Sequence, residues 1–242
     1  MRNTIFITGA SSDIGLSLIE NIKEECVIIA HYNSSDEKLQ EVAKKITNKL
    51  VIIKADFSNE ESIINMLDII ERDYGIPGKI LHLAAPKFKN VRFKDITTDD
   101  LQSDIDISLK SIIIILKRFL PKMAADKYGK VVCVLSSVTF NVPPKALAQY
   151  TTVKYALLGL MRSLASEYAD KKININSISP SMIETKFLSL IHNKVVELAA
   201  EAHPLKRNAQ VNDIIPAIKL LLSDDSDYIN GVNIPITGGS SF

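Results

Sequence analysis

Cysteine is scarce in this chain. Its 242 residues hold two, Cys26 and Cys133. Each sits in an apolar strand-like run, so both read as buried thiols of a reducing compartment, not as a disulfide or a metal site. The four histidines, His31, His82, His192 and His203, have no ligand spacing, and no metal is expected. Net charge is also missing: it is only +1, with acids interleaved among the bases, which excludes the footprint of a nucleic-acid binder. Apolar runs are short, and Ile112–Leu116 is fenced by Lys110 and Lys117, far below the length of a bilayer span. No signal peptide is visible before the first strand, and a cytoplasmic location is expected. No repeat, low-complexity tract or linker divides the chain, and 46% hydrophobic content can fill one large core, so residues 1–242 are expected to form one domain.

What the chain does have is alternation. Apolar strand-like runs at 4–8, 27–31, 50–54, 79–83, 130–135, 173–178 and 232–236 are separated by helical stretches. Ser34 with Glu37, Ser58 with Glu61 and Thr97 with Asp100 fit the capping box at helix starts. Strands that are apolar throughout and separated by helices imply a parallel sheet covered on both faces. The expected class is therefore α/β, a single-domain doubly wound (Rossmann) sheet, with ligands beyond the carboxyl ends of the strands. Residues 181–210 read as an irregular substrate lid.

Two constellations carry chemistry. Thr8-Gly9-Ala10-Ser11-Ser12-Asp13-Ile14-Gly15 follows an apolar strand and opens a helix, the place where helix N–H groups and the helix dipole hold a dinucleotide pyrophosphate. Later, Ser137 follows a buried strand, and Tyr150 and Lys154 stand four apart on one helix face. An ammonium beside a phenol stabilises the phenolate, so a hydroxyl, a phenol and an ammonium can serve one carbonyl: the serine holds its oxygen while the phenol passes it a proton. Each piece has a plainer reading. A glycine turn can be only a tight connection, a serine at a strand end is often a cap, and Tyr-x-x-x-Lys arises by chance. Their joint order points to an oxidoreductase.

With these residues in place, the chain resembles the short-chain dehydrogenase/reductase family over essentially its full length. The matching pieces are TGASSDIG at 8–15, Asp56 after the third strand, LSSV at 135–138 and YTTVK at 150–154. NSISPS at 176–181, then Thr185, and the closing INGVNIPITGG complete the set. The nearest subgroup looks like the 3-oxoacyl-(acyl-carrier-protein) reductases. The resemblance implies that Gly9, Ser12 and Gly15 line the pyrophosphate, with Ser11, Asp13 and Ile14 beside them, and that Asp56 contacts the adenine. It also places Phe57, Ala84 and Pro180 at the cofactor, and Ile183 with Thr185 on the carboxamide. Ser137, Tyr150 and Lys154 would carry the reaction, Lys154 also holding the nicotinamide ribose. Asp56 reads equally as a cap before Ser58.

Four positions depart from the family pattern. Asp13 replaces a second glycine of the turn, and its carboxylate either repels phosphate or points away. His82-Leu83-Ala84-Ala85 replaces Asn-Asn-Ala-Gly, removing amides that brace the strand and the adenosine. Ser108 stands where the family has an Asn supporting a water-mediated proton relay to the lysine, and it is counted here as a catalytic candidate. Ser181 follows Pro180 where Gly is common. Slow or altered turnover is expected, not its absence.

The second strand ends in Ala30-His31-Tyr32-Asn33-Ser34-Ser35, with no acid until Asp36. An acid there would bind the adenosine ribose and repel a 2′-phosphate. NADP(H) is therefore expected to be preferred over NAD(H), with Asn33, Ser34, Ser35 and His31 as phosphate donors; Ser34 and Ser35 read equally as helix caps. The expected reaction is reduction of a ketone, best matched by a 3-oxoacyl thioester, free or carrier-bound. The alternatives are a sugar, polyol or secondary-metabolite alcohol dehydrogenase of the same family, or a nucleotide-binding relative without turnover. Lys127, Lys130, Lys171 and Lys172 read as a solvated rim, or as the docking site of an acidic carrier protein. Ile112–Leu116 with Ala156, Gly159 and Ser163 lies on the helices that the family uses for subunit packing, so a homotetramer or dimer is implied.

Overall fold

The computed structural model describes residues 2–189 and 191–241. Seven strands form one all-parallel sheet: β1 (Thr4–Thr8), β2 (Val27–Tyr32), β3 (Lys49–Lys54), β4 (Lys79–His82), β5 (Gly129–Val134), β6 (Ile173–Pro180) and β7 (Asn233–Ile236). Their order is β3-β2-β1-β4-β5-β6-β7. Every residue of β1 and β6 is buried, so both faces of the sheet need a helical cover. Phe6, Ile29, Ile80, Val131 and Ile175 face one core, closed by α3 (Glu60–Tyr74), α5 (Ser111–Ala125) and α6 (Ala148–Glu167). Ile7, Ile28, Leu81, Val132 and Ile178 face the other, closed by α1 (Asp13–Asn21), α2 (Glu37–Ala43) and α8 (Val211–Leu222). The doubly wound α/β fold is the one expected.

The sheet reverses its winding between β1 and β4, and the crevice that this opens lies beyond the strands' carboxyl ends. Four elements deliver side chains there: the turn after β1, the end of β4, the turn after β5 and the end of β6. On one side runs α4 (Thr98–Ile105), which continues through a π-helical turn, Asp106–Lys110, into α5. Residues 181–210 are less irregular than expected, for they contain α7 (Asn193–Ala202) and a bridge pairing Ile183 with Ala209.

Several expectations need correction. Ser34 and Ser58 are not caps: α2 starts after Asp36, and α3 after Asn59, whose side chain accepts the Ser62 N–H. Thr97 does cap α4, while a full capping box, Gln210 with Asp213, starts α8. Lys130 is no part of a solvated rim. It is 1% exposed, with its ammonium on Asn174 Oδ1 (2.9 Å) and Asp227 Oδ1 (2.5 Å), because its strand position points into the core and only a paired charge is tolerated there. Cys133 is buried and its thiol is pushed up to about 12 by desolvation, whereas Cys26 precedes β2 and is only half buried.

Candidate active site

The turn after β1 is built to bring backbone close to backbone. Gly9 has φ of +65°, and a Cβ there would sit 2.9 Å from the Ala84 N. At Gly15 a Cβ would lie 2.5 Å from the Ala10 O, so this position has no room for a side chain. Ser12 Oγ caps α1 by accepting the Gly15 N–H at 3.2 Å. The N–H groups of Ala10 and Ser12 are taken by His31 O and Gly9 O, which leaves those of Ser11, Asp13 and Ile14 at the start of α1, and such a set fits a pyrophosphate.

Two histidines hold this turn from either side. β1 lies between β2 and β4, and register places His82 beside Thr8, with His31 one residue past the Ile7–Ala30 pair. His31 Nδ1 accepts the Gly9 N–H (3.0 Å), its Nε2–H donates to Ala55 O (3.0 Å), and its ring stacks on Phe57 at 3.9 Å. Thr8 Oγ1 accepts the N–H groups of Leu83 and Ala84, and so donates its own proton to His82 Nδ1 at 2.8 Å. His82 Nε2–H then donates to Ser108 O at 2.9 Å. Both rings are therefore neutral. His31 is accordingly not a phosphate donor, and the buried ring of Phe57 is engaged with it rather than open to a ligand.

Burial holds the His31 pKa down to about 4 and that of His82 to about 3, each partly offset by its carbonyl partner. A depressed folded-state value means that below the ordinary 6.5 the unfolded chain binds protons that the folded chain refuses. Stability present above pH 6.5 is therefore lost on acidification toward pH 4, by about 1.4 kcal/mol per pH unit for each histidine. Urea melts at pH 6.5, 5.5 and 4.5 should show this loss; a midpoint flat across the series would contradict the assigned neutral pair.

Asp13 points neither into the crevice nor to open water. Its Oδ2 accepts the backbone N–H of Lys186 at 2.8 Å, and its Oδ1 lies 3.3 Å from the Lys38 ammonium. The carboxylate thus ties the helix start to the segment after β6. Asp13→Asn keeps an acceptor for Lys186 and removes the charge, so a phosphate-bearing cofactor should bind roughly 2- to 5-fold tighter. An unchanged Kd in a fluorescence titration would show that bound phosphate does not feel this carboxylate.

In the second constellation Tyr150 and Lys154 stand together on α6, and Ser137 opens the short turn against which that helix packs. Ser136 caps a single 3-10 turn, Ser137–Thr139, directly after β5. A hydroxyl–amide cluster of Thr139, Ser179 and Asn233 anchors that turn to β6 and β7. α6 packs against the same turn and carries Tyr150 and Lys154. The buried Lys154 Nζ donates to Val134 O at 2.9 Å and lies 5.6 Å from the centre of the Tyr150 ring. A pocket lined by Pro86, Phe88, Val91, Leu147, Val153 and Phe187 opens beside these two, with Ser108 in its wall. Phe88 meets Tyr150 edge-on at 5.1 Å and Phe187 at 5.5 Å, joining the loop after β4 to the segment after β6. A carbonyl beside this phenol can be protonated as it is reduced.

A short-chain alcohol dehydrogenase model, described as enoyl-(acyl carrier protein) reductase, matches residues 9–241. The chain belongs to the short-chain dehydrogenase/reductase family. As a member it is an NAD(P)-dependent oxidoreductase acting on CH–OH and keto groups. It is 28% identical to the 3-oxoacyl-(acyl-carrier-protein) reductase FabG of Rickettsia conorii, over 98% of this chain and 95% of that protein. The Staphylococcus aureus FabG is 29% identical over 99% and 98%. Among solved structures, an NAD+-bound xylitol dehydrogenase has a TM-score of 0.85 at 26% identity, covering 98% of each chain. Levodione reductase shares the fold, with a TM-score of 0.87 at 24% identity over 99% of this chain and 97% of its own.

The other family positions lie in the turns and at the strand ends. Asn33, Ser34 and Ser35 are exposed at the end of β2, Ala84 is buried under the glycine turn, and Pro180 ends β6. Thr185 Oγ1 donates to Ile183 O at 3.4 Å. Ser11 sits in the turn, and Ile14 packs against the core of α1. Asp56 Oδ1 accepts both the N–H and the hydroxyl of Ser58, so the turn before α3 already uses part of this carboxylate. Lys38 was missed: sequence reasoning stopped at the strand end, but α2 brings its ammonium back to the glycine turn. The anchoring roles of His31 and His82 were missed too, although a histidine near the carboxyl end of each of two strands was a visible sign. No group of three or more His, Cys, Asp or Glu able to hold a metal exists among the described residues. No helix there is long and apolar enough to cross a membrane.

Proposed function

We propose that this enzyme uses NADPH to reduce the ketone of a 3-oxoacyl thioester to a secondary alcohol. The observation that carries this reading is the Lys154 ammonium 5.6 Å from the Tyr150 ring, beside a pocket where Phe88, Val91, Leu147 and Phe187 meet Lys87, Lys89, Asp104 and Gln149. Tyr150 gives its phenol proton to the carbonyl oxygen, Ser137 holds that oxygen, and Lys154 stabilises the phenolate and holds the nicotinamide ribose. The bound nicotinamide supplies the hydride. Gly9, Ser12 and Gly15 hold the pyrophosphate, and Ile183 with Thr185 the carboxamide. The apolar part of the lining, Phe88, Val91, Leu147 and Phe187, offers a surface for an acyl chain, and the FabG relatives are named for carrier-bound 3-oxoacyl substrates.

Support for NADPH comes from the end of β2, where Asn33, Ser34 and Ser35 are exposed with no acid before Asp36, and where Lys38, paired with Asp13, brings an ammonium to the glycine turn. The lysine rim first considered for a carrier protein is poorly placed. Lys127, Lys171 and Lys172 sit at the amino ends of β5 and β6, opposite the crevice. The exposed Lys87 and Lys89, both lining the pocket, are better placed for an acidic carrier. A cytoplasmic homotetramer or dimer joined through α5 and α6 completes the proposal. Fluorescence titration with NADPH and NADH tests the cofactor, and NADPH oxidation against acyl thioesters, sugars and small ketones tests the substrate. Tighter NADH binding, or turnover confined to polyols and sugars, would overturn the corresponding half.

A further inference from the structure

A π turn is wider than an α turn and releases backbone carbonyls from the helix ladder. In the turn Asp106–Lys110 two successive carbonyls are taken by side chains. Ser111 Oγ donates to Ile107 O at 2.6 Å, and His82 Nε2–H to Ser108 O at 2.9 Å. Ser108 is 3% exposed, so removing the imidazole would take a hydrogen-bond partner from a buried carbonyl. The helix that leads into the turn, α4, is held as well, and the turn itself packs against α6. Gln149 Nε2 donates to Asp100 O (3.0 Å) and to Asp104 Oδ2 (2.6 Å), and Gln149 directly precedes Tyr150. The bulge therefore spans from the end of β4 to the helix that carries the phenol, and Ser108 borders the same pocket as Tyr150 and Lys154.

We propose that His82 is a positioning residue for the reaction, its imidazole clamping the Ser108 carbonyl and so fixing the pocket wall against Tyr150 and Lys154. Where the family resemblance expects an amide reaching out from the helix, here a side chain from the strand reaches into it. The other ring nitrogen, on Thr8 Oγ1, locks the tautomer that makes Nε2 a donor. This inference rests on the proposed reduction, because the wall matters only if chemistry occurs beside it.

The two amide substitutions separate the two ends of the ring. An Asn amide ends level with Nδ1 and cannot reach Ser108 O, whereas a Gln amide ends level with Nε2 and can. His82→Asn should lower kcat about 10-fold or more and leave the NADPH Kd within about 3-fold, while His82→Gln should recover most of the loss. Deuterium exchange should speed up at the backbone amides of residues 108–113 in His82→Asn and stay near wild type in His82→Gln. Wild-type kcat in His82→Asn, or equal losses in both variants, would overturn the clamp, as would a loss that falls on NADPH affinity instead of kcat. If the unaltered enzyme turned over no carbonyl compound, the proposed reduction would fail, yet the exchange comparison would still show whether His82 holds the bulge.

Discussion

Tyr150→Phe should cut turnover by a factor on the order of 10² or more while leaving NADPH binding almost intact. The substitution removes one oxygen and little else. The ring that meets Phe88 at 5.1 Å and lies under the Lys154 ammonium at 5.6 Å is preserved, so packing and charge placement stay as they are. Thermal stability should therefore match wild type, and single-turnover reduction with saturating NADPH should show the loss in the chemical step. A variant as fast as wild type would remove Tyr150 from the mechanism.

Lys154→Ala should be damaging in two ways at once. The buried ammonium supports the phenolate and is proposed to hold the ribose, so turnover should fall by about 10² or more and the NADPH Kd should rise with it. It also donates to Val134 O at 2.9 Å, and removing it leaves a buried space and weakens the tie between α6 and β5. Lys154→Met separates these effects. It keeps most of the packing but not the bond to Val134 O, so its melting temperature should lie between those of the alanine variant and wild type while its turnover stays as low as that of the alanine variant. Recovery of turnover in the methionine variant would mean that packing, not charge, is what the site needs from this residue.

The parts that sequence made legible are those fixed by short spacing along the chain. Tyr150 and Lys154 share a face because one helical turn separates them, and Gly9 to Gly15 is a strand, a turn and a helix start in succession. Parallel strands with no polar face declare their burial on both sides, so the sheet was readable as well. What stayed hidden depends on partners far away in sequence. Lys130 looks like a surface base until Asn174 and Asp227 are brought to it. His82 looks like a loss of bracing amides until Ser108, 26 residues on, offers its carbonyl. Phe88 and Phe187 have no common signal in the chain, yet they meet beside the phenol. Helix starts misled for a subtler reason: Ser34, Asp36, Ser58 and Asn59 are all competent caps, and only the geometry of each connection chooses between them.

The strand order has a consequence in time. β2 pairs with β1, β3 with β2, β4 returns to β1, and β5, β6 and β7 each pair with the strand before. Every strand after the first finds one partner already made. As the chain leaves the ribosome, each new strand meets an edge already present, so the sheet can grow outward with little unpaired edge exposed to other chains. The crevice takes shape in the same sequence: β4 delivers His82 to Thr8, the bulge at Ser108 follows to meet it, and Tyr150 reaches a wall that is already standing.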